Sequence, residues 1–138
     1  MPYLAGIVLA LTVSGLATLV GLDRDRAFYP TLVLVVASYY VLFAVIGGSG
    51  HALVVETLVM TGFLLVALIG FKTSLWLVVA ALAAHGVFDF VHGRVVANPG
   101  VPVWWPAFCA TYDVTAAAFL AWLLRRRDPK PSGSSLTQ

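Results

Sequence analysis

Apolar residues fill five stretches of the chain, each near 20 residues long, and short clusters of glycine, proline or charge separate them. At about 1.5 Å of rise per residue, such a helix matches the roughly 30 Å hydrocarbon core of a bilayer. The pattern predicts helix 1 from Tyr3 to Leu22, ending at Asp23, Arg24, Asp25 and Arg26, and helix 2 from Phe28 to Ile46. Gly47, Gly48, Ser49 and Gly50 can turn the chain tightly, so helix 3, His51 to Ile69, returns antiparallel to helix 2. Phe71, Lys72, Thr73 and Ser74 lead into helix 4, Leu75 to Val96, which the Asn98–Pro102 segment breaks before helix 5, Pro106 to Leu124. The expected fold is an all-α integral membrane protein, a compact bundle of about five transmembrane helices. Small residues such as Ala80, Ala84, Gly86, Ala117 and Ala121 are expected at its helix contacts. Residues 1–124 form the single transmembrane domain, and residues 125–138, basic and then rich in Pro, Ser and Gly, read as a disordered cytoplasmic tail.

Composition strengthens this reading. Hydrophobic residues make up 61% of the 138 and charged residues 10%, proportions foreign to a soluble domain of this length. The N-terminal stretch lacks a basic leader and runs directly into Asp23–Arg26, which fits a retained span better than a cleaved signal peptide. Arg24, Arg26, Lys72, Arg125, Arg126, Arg127 and Lys130 fall on one side of the five spans, against Arg94 alone on the other. By the positive-inside rule the C-terminus is cytoplasmic and the N-terminus outside, as expected for the plasma membrane of a prokaryote. Trp76, Trp104, Trp105 and Trp122 lie near span ends, where amphipathic rings prefer to sit. The basic residues gather at helix ends and give no support to nucleic-acid binding. No internal repeat appears, so an inverted-repeat transporter has no basis in the sequence. The single cysteine, Cys109, excludes an internal disulfide.

The candidate chemistry lies in ionisable residues inside the apolar stretches. His85, Asp89 and His92 occur at i, i+4 and i+7 of helix 4 and share one stripe at about 100° per residue. Of the six acidic residues, Glu56, Asp89 and Asp113 fall within spans. Reckoned from the same end of each helix they lie roughly 8 to 12 Å deep, in one layer. Tyr39 and Tyr40 fall at a similar depth and Tyr112 is beside Asp113. Singly, Tyr39, Tyr40, His51 and Cys109 read most simply as packing or interfacial residues. The acids together do not, because a buried unpaired charge costs several kcal/mol and no Lys or Arg lies within the spans except Arg94 near an end.

Either protons neutralise these acids or a divalent cation holds them. Imidazole with carboxylate suits Zn, Fe or Mn better than Mg or Ca. The expected metal ligands are His85, Asp89, His92, Glu56 and Asp113, with Glu56, Asp113, Tyr39 and Tyr112 as candidate catalytic groups. His85 and His92 are about 10.5 Å apart along the helix, so one ion most comfortably takes Asp89 with one histidine plus acids from neighbouring helices. The rigid Pro99–Pro106 loop, with Trp104 and Trp105, reads as an interfacial anchor or as a cap beside which a lipid tail could pass.

No family is recognised from these residues. In gathering His and Asp from several helices the chain resembles intramembrane metal hydrolases of the ceramidase type, which have more spans and a different motif order. In its His, Glu and Trp it resembles small sterol-isomerase-like membrane proteins, again without an extended motif. Neither likeness carries a residue role to this chain. The leading expectation is a metal-dependent, hydrolytic enzyme acting on a lipid or isoprenoid. Two alternatives stand beside it: a metal-free acid/base isomerase or cyclase, and a non-enzymatic proton or metal-ion carrier or partner-binding membrane subunit.

Overall fold

The computed structural model describes residues 1–127 and contains five α-helices: α1 Pro2–Val20, α2 Phe28–Ile46, α3 Gly50–Lys72, α4 Leu75–Val95 and α5 Trp105–Arg127. All five are long and apolar enough to cross a membrane. Large apolar side chains lie exposed on all of them, Leu19 on α1, Ile46 on α2, Leu58 on α3 and Phe90 on α4 among the most open. A soluble monomer does not present apolar surface on this scale.

Local signals explain the boundaries. Gly21, at φ 81°, ends α1 in the left-handed conformation, with Leu22 N–H bonding Ala17 O at 2.9 Å and Gly21 N–H bonding Thr18 O at 3.3 Å. That pair of bonds is a Schellman cap, and it stops the helix two residues before the expected Leu22. Ser49 and Ser74 cap α3 and α4 by accepting from Ala52 N and Trp76 N. At the other extreme α5 continues through Arg125, Arg126 and Arg127. Arg127 Nη2 pairs with Asp23 Oδ2 at 3.0 Å, and Thr18 Oγ1 donates to the same oxygen. Asp23, one of the charged residues at which helix 1 was expected to end, is therefore buried in a clasp that ties α5 to the α1–α2 turn. Arg125, Arg126 and Arg127, expected to open a disordered cytoplasmic tail, are helical, and the rest of that expected tail lies outside the described residues.

The close helix pairs are α4 with α5, α1 with α5, α2 with α3, α3 with α4 and α2 with α4; the consecutive α1 and α2 are not among them. The bundle has a basic end, with Arg24, Lys72 and Arg127, and a loop end, with the Gly47–Gly50 turn and the Asn98–Trp104 connection. Its apolar core fills the basic half, where Val33, Val78, Leu82, Ala116 and Leu120 are essentially inaccessible. Of the small residues expected at contacts, Gly86 and Ala117 are buried between helices, Ala121 is half-buried, and Ala80 and Ala84 face outward. Ala81 and His85, one position on from them, take the inward places. One residue is about 100° of helix rotation, which apolar composition alone does not resolve.

Gly86 sets the separation of α4 and α5. A Cβ there would lie 3.0 Å from Ala110 O and 2.9 Å from a Val114 methyl. Replacing Gly86 by valine should destabilise the protein by about 1–3 kcal/mol through overpacking. Gly62, which has open space where its Cβ would stand, should instead gain roughly 0.5–1 kcal/mol on replacement by alanine. Thermal denaturation of the two variants in detergent checks both signs.

Candidate functional site

Two pairs of residues one helical turn apart face each other across the α4–α5 contact: His85 and Asp89 on α4, Cys109 and Asp113 on α5. One ligand atom from each lies within 4.8 Å of the other three. All four residues are at most 2% exposed. The close approach at Gly86 makes this convergence possible, because that glycine sits directly after His85 and against Ala110, directly after Cys109.

The hydrogen bonds inside the group are short and incomplete. His85 Nδ1 bonds Asp113 Oδ2 at 2.6 Å, and Tyr40 Oη donates to Asp89 Oδ1 at 2.7 Å. Asp89 Oδ2 lies 3.5 Å from His85 Nδ1, which Asp113 already engages, and makes no hydrogen bond among the described residues. Asp113 Oδ1 is likewise buried without a partner among them. Cys109 Sγ is 4.0 Å from Asp113 Oδ2. Two orphan carboxylate oxygens beside an imidazole and a thiol form an environment deficient in cationic partners.

A second group lies towards the loop end. His92 Nε2 bonds Glu56 Oε1 at 2.7 Å, and Asn98 Nδ2 donates to the same oxygen at 3.0 Å. Asn98 Nδ2 also reaches Tyr40 O at 3.0 Å, and Asn98 Oδ1 accepts from Gly100 N. This one amide thus ties α2, α3 and the α4–α5 connection together. Tyr40 joins the two groups: its ring stacks on His92, with centroids 4.0 Å apart and planes 18° from parallel, while its hydroxyl holds Asp89.

The residues singled out in the sequence are therefore divided. His85, Asp89 and Asp113 come together; Glu56 and His92 pair with each other apart from them, and Cys109, expected to be a packing residue, occupies the fourth position. Its i, i+4 spacing to Asp113 was visible, but a thiol passes as a small apolar group. Tyr39 turns away from the polar groups, 36% exposed, with its ring 4.9 Å from that of Trp105. Tyr112 is buried beside Ala10, Val36 and Cys109. Tyr40 and Asn98 hold the inward polar roles, while His51 is exposed at the start of α3.

Imidazole, thiol and two carboxylates are a donor set suited to Zn or Fe(II), the thiol favouring these over Mn. Tetrahedral ligands on bonds of 2.0–2.1 Å stand about 3.3 Å apart. The 2.6 Å separation of His85 and Asp113 is that of a hydrogen bond. An ion seated between them would widen the pair by about 0.7 Å.

Two openings approach these groups. At the loop end a cavity of about 680 Å³ is lined by Ser49, His92, Asn98, Pro99 and Pro102. On the side, a groove of about 230 Å³ runs between α1, α2 and α5, with Cys109 in its wall. No family model, no curated protein and no solved structure matches the chain.

Removing the Tyr40 hydroxyl by Tyr40→Phe leaves Asp89 Oδ1 without its donor and should destabilise the protein by about 1–3 kcal/mol. Tyr39→Phe should stay within about 0.5 kcal/mol of the parent. Chemical denaturation of both variants measures the contrast between neighbouring tyrosines.

Proposed function

We propose that this protein is an integral membrane metalloenzyme that binds a transition metal through His85, Asp89, Cys109 and Asp113 and hydrolyses a lipid or isoprenoid substrate. The observation that carries the reading is the convergence of four buried donors within 4.8 Å, with a carboxylate oxygen of each aspartate left unpartnered. Charge bears on it as well: a divalent cation offsets the two carboxylates, and Cys109 would join them as a ligand by giving up its thiol proton. A bound metal lowers the pKa of coordinated water and polarises a carbonyl or phosphoryl oxygen. Tyr40 orients Asp89. His92, held by Glu56 and lining the loop-end cavity, is the group placed to exchange a proton with that cavity. The chain lies in the cytoplasmic membrane of a prokaryote in this reading, with its basic end inside.

The short His85–Asp113 hydrogen bond favours a second reading, a metal-free acid/base isomerase or cyclase in which that pair shares a proton. Elemental analysis of detergent-purified protein separates the two. Stoichiometric Zn or Fe is expected, with Asp89→Asn folding but losing it, because the amide keeps the volume and removes the anionic ligand. A metal-free parent, or full metal retention in Asp89→Asn, would discard the metalloenzyme and leave the acid/base reading.

Orientation has its own test. An impermeant maleimide applied to intact cells should modify Ser49→Cys and spare Ser134→Cys. The opposite pattern would turn the loop-end cavity towards the cytoplasm.

A further inference from the structure

The groove between α1, α2 and α5 exists because α2 packs closely against neither α1 nor α5, while α1 packs on α5 and the Val36 side chain of α2 meets Ala10, Cys109 and Tyr112. Leu9, Leu32, Val36, Tyr39, Trp105 and Phe108 are among its walls. Its α2 members run from Leu32 to Tyr39 and its α5 members from Trp105 to Tyr112. Each set spans seven residues of rise, about 10 Å along the helix axes. In a bilayer the groove is parallel to the lipid chains and begins at the aromatic interfacial end.

Two features distinguish it from ordinary lipid-facing surface. Cys109, 2% exposed, is at once a wall of the groove and a member of the four-donor group, so the groove leads to the reactive centre. At the interfacial end the Trp105 Nε1–H is buried and has no acceptor among the described residues. An unsatisfied buried donor is costly. The cleft between α1, α4 and α5 makes an internal contrast: at about 560 Å³ it is larger and also apolar, but no member of the four-donor group lines it.

We infer that the α1–α2–α5 groove seats one hydrocarbon chain of an outer-leaflet amphiphile, with Trp105 Nε1–H donating to a headgroup oxygen and Cys109 marking where the chain meets the buried donors. This narrows the substrate of the proposed enzyme to a lipid presenting a carbonyl, ester or phosphate oxygen directly above a single chain. It rests on the membrane reading and on the site assignment, and its test is separate from metal content.

The test uses the full chain in phosphatidylcholine nanodiscs, a diazirine-bearing long-chain methyl ester and the corresponding diazirine alkane, with adducts mapped by mass spectrometry. Saturable ester labelling is expected on the peptides carrying Leu32–Tyr39 and Cys109–Tyr112. Leu9→Trp, which fills the groove from α1, should weaken labelling about tenfold, equivalent to roughly 1.4 kcal/mol. Val87→Trp, in the contrasting cleft, should leave it unchanged. Trp105→Phe should weaken the ester about fivefold and leave the alkane as it was, because only the ester loses a hydrogen bond.

Non-saturable labelling spread over the groove and the α1–α4–α5 cleft alike would mean annular lipid only and overturn the inference. So would labelling that appears only after detergent separates copies of the chain, since a second copy would then occupy the groove. Metal content measured on the same samples separates the outcomes. Groove labelling without metal removes the metalloenzyme and keeps the lipid site, whereas metal without groove labelling does the reverse.

Discussion

Charge that water cannot reach is the constraint around which the rest of this molecule is arranged. Glu56, Asp89 and Asp113 are each at most 1% exposed, and among the described residues no lysine or arginine side chain bonds any of them. Each acid instead has a donor from another helix or connection: His92 and Asn98 for Glu56, Tyr40 for Asp89, His85 for Asp113. Those bonds join α2, α3, α4 and α5, elements whose mainly apolar contacts define neither register nor rotation. Gly86 permits the approach of α4 and α5, and the polar bonds then specify the alignment at which they meet. The dependence is mutual, since the donors are satisfied only when the backbones come this close.

The same constraint divides the bundle along its length. The four-donor group and the Glu56–His92 pair lie in the half towards the loop end; the half below them holds the apolar core of Val33, Val78, Leu82, Ala116 and Leu120 together with buried Ser14, Tyr29 and Asp23. A path for protons or ions across the bundle would have to link these two sets of polar groups through the apolar core. The openings instead reach the polar half from the loop end and from the side.

The five helices were legible because an apolar run of bilayer length allows few other interpretations, and α2 falls on the expected residues. What remained hidden was rotation and pairing. Tyr39 and Tyr40 are chemically identical neighbours about 100° apart on a helix apolar nearly all round, so no polar face says which points inward. Asn98 reads as part of a helix break, yet its side chain joins Tyr40 and Glu56. Asp23 and Arg127 are 104 positions apart, and a clasp over that separation leaves no local pattern. The acids and histidines stood out because a membrane span carries them only at a cost. Their division into two groups depended on which helices are neighbours, which the order of the spans does not determine.

Tyr40 gives that division a physical consequence. Its hydroxyl is committed to Asp89 and its ring to His92, so a displacement of the loop-end group is felt at the four-donor group through one rigid side chain. Asn98 strengthens the link by holding the backbone of Tyr40 and the carboxylate of Glu56 with the same amide nitrogen. Any molecule that enters the loop-end cavity and disturbs His92 or Asn98 therefore acts on Asp89 without touching it. The aromatic stack alone transmits only position, because it contains no hydrogen bond. Of the four donors, Asp89 is thus the one whose position is fixed from the loop end, through Tyr40 and the His92, Glu56 and Asn98 group behind it, whereas His85, Cys109 and Asp113 are placed by the α4–α5 contact itself.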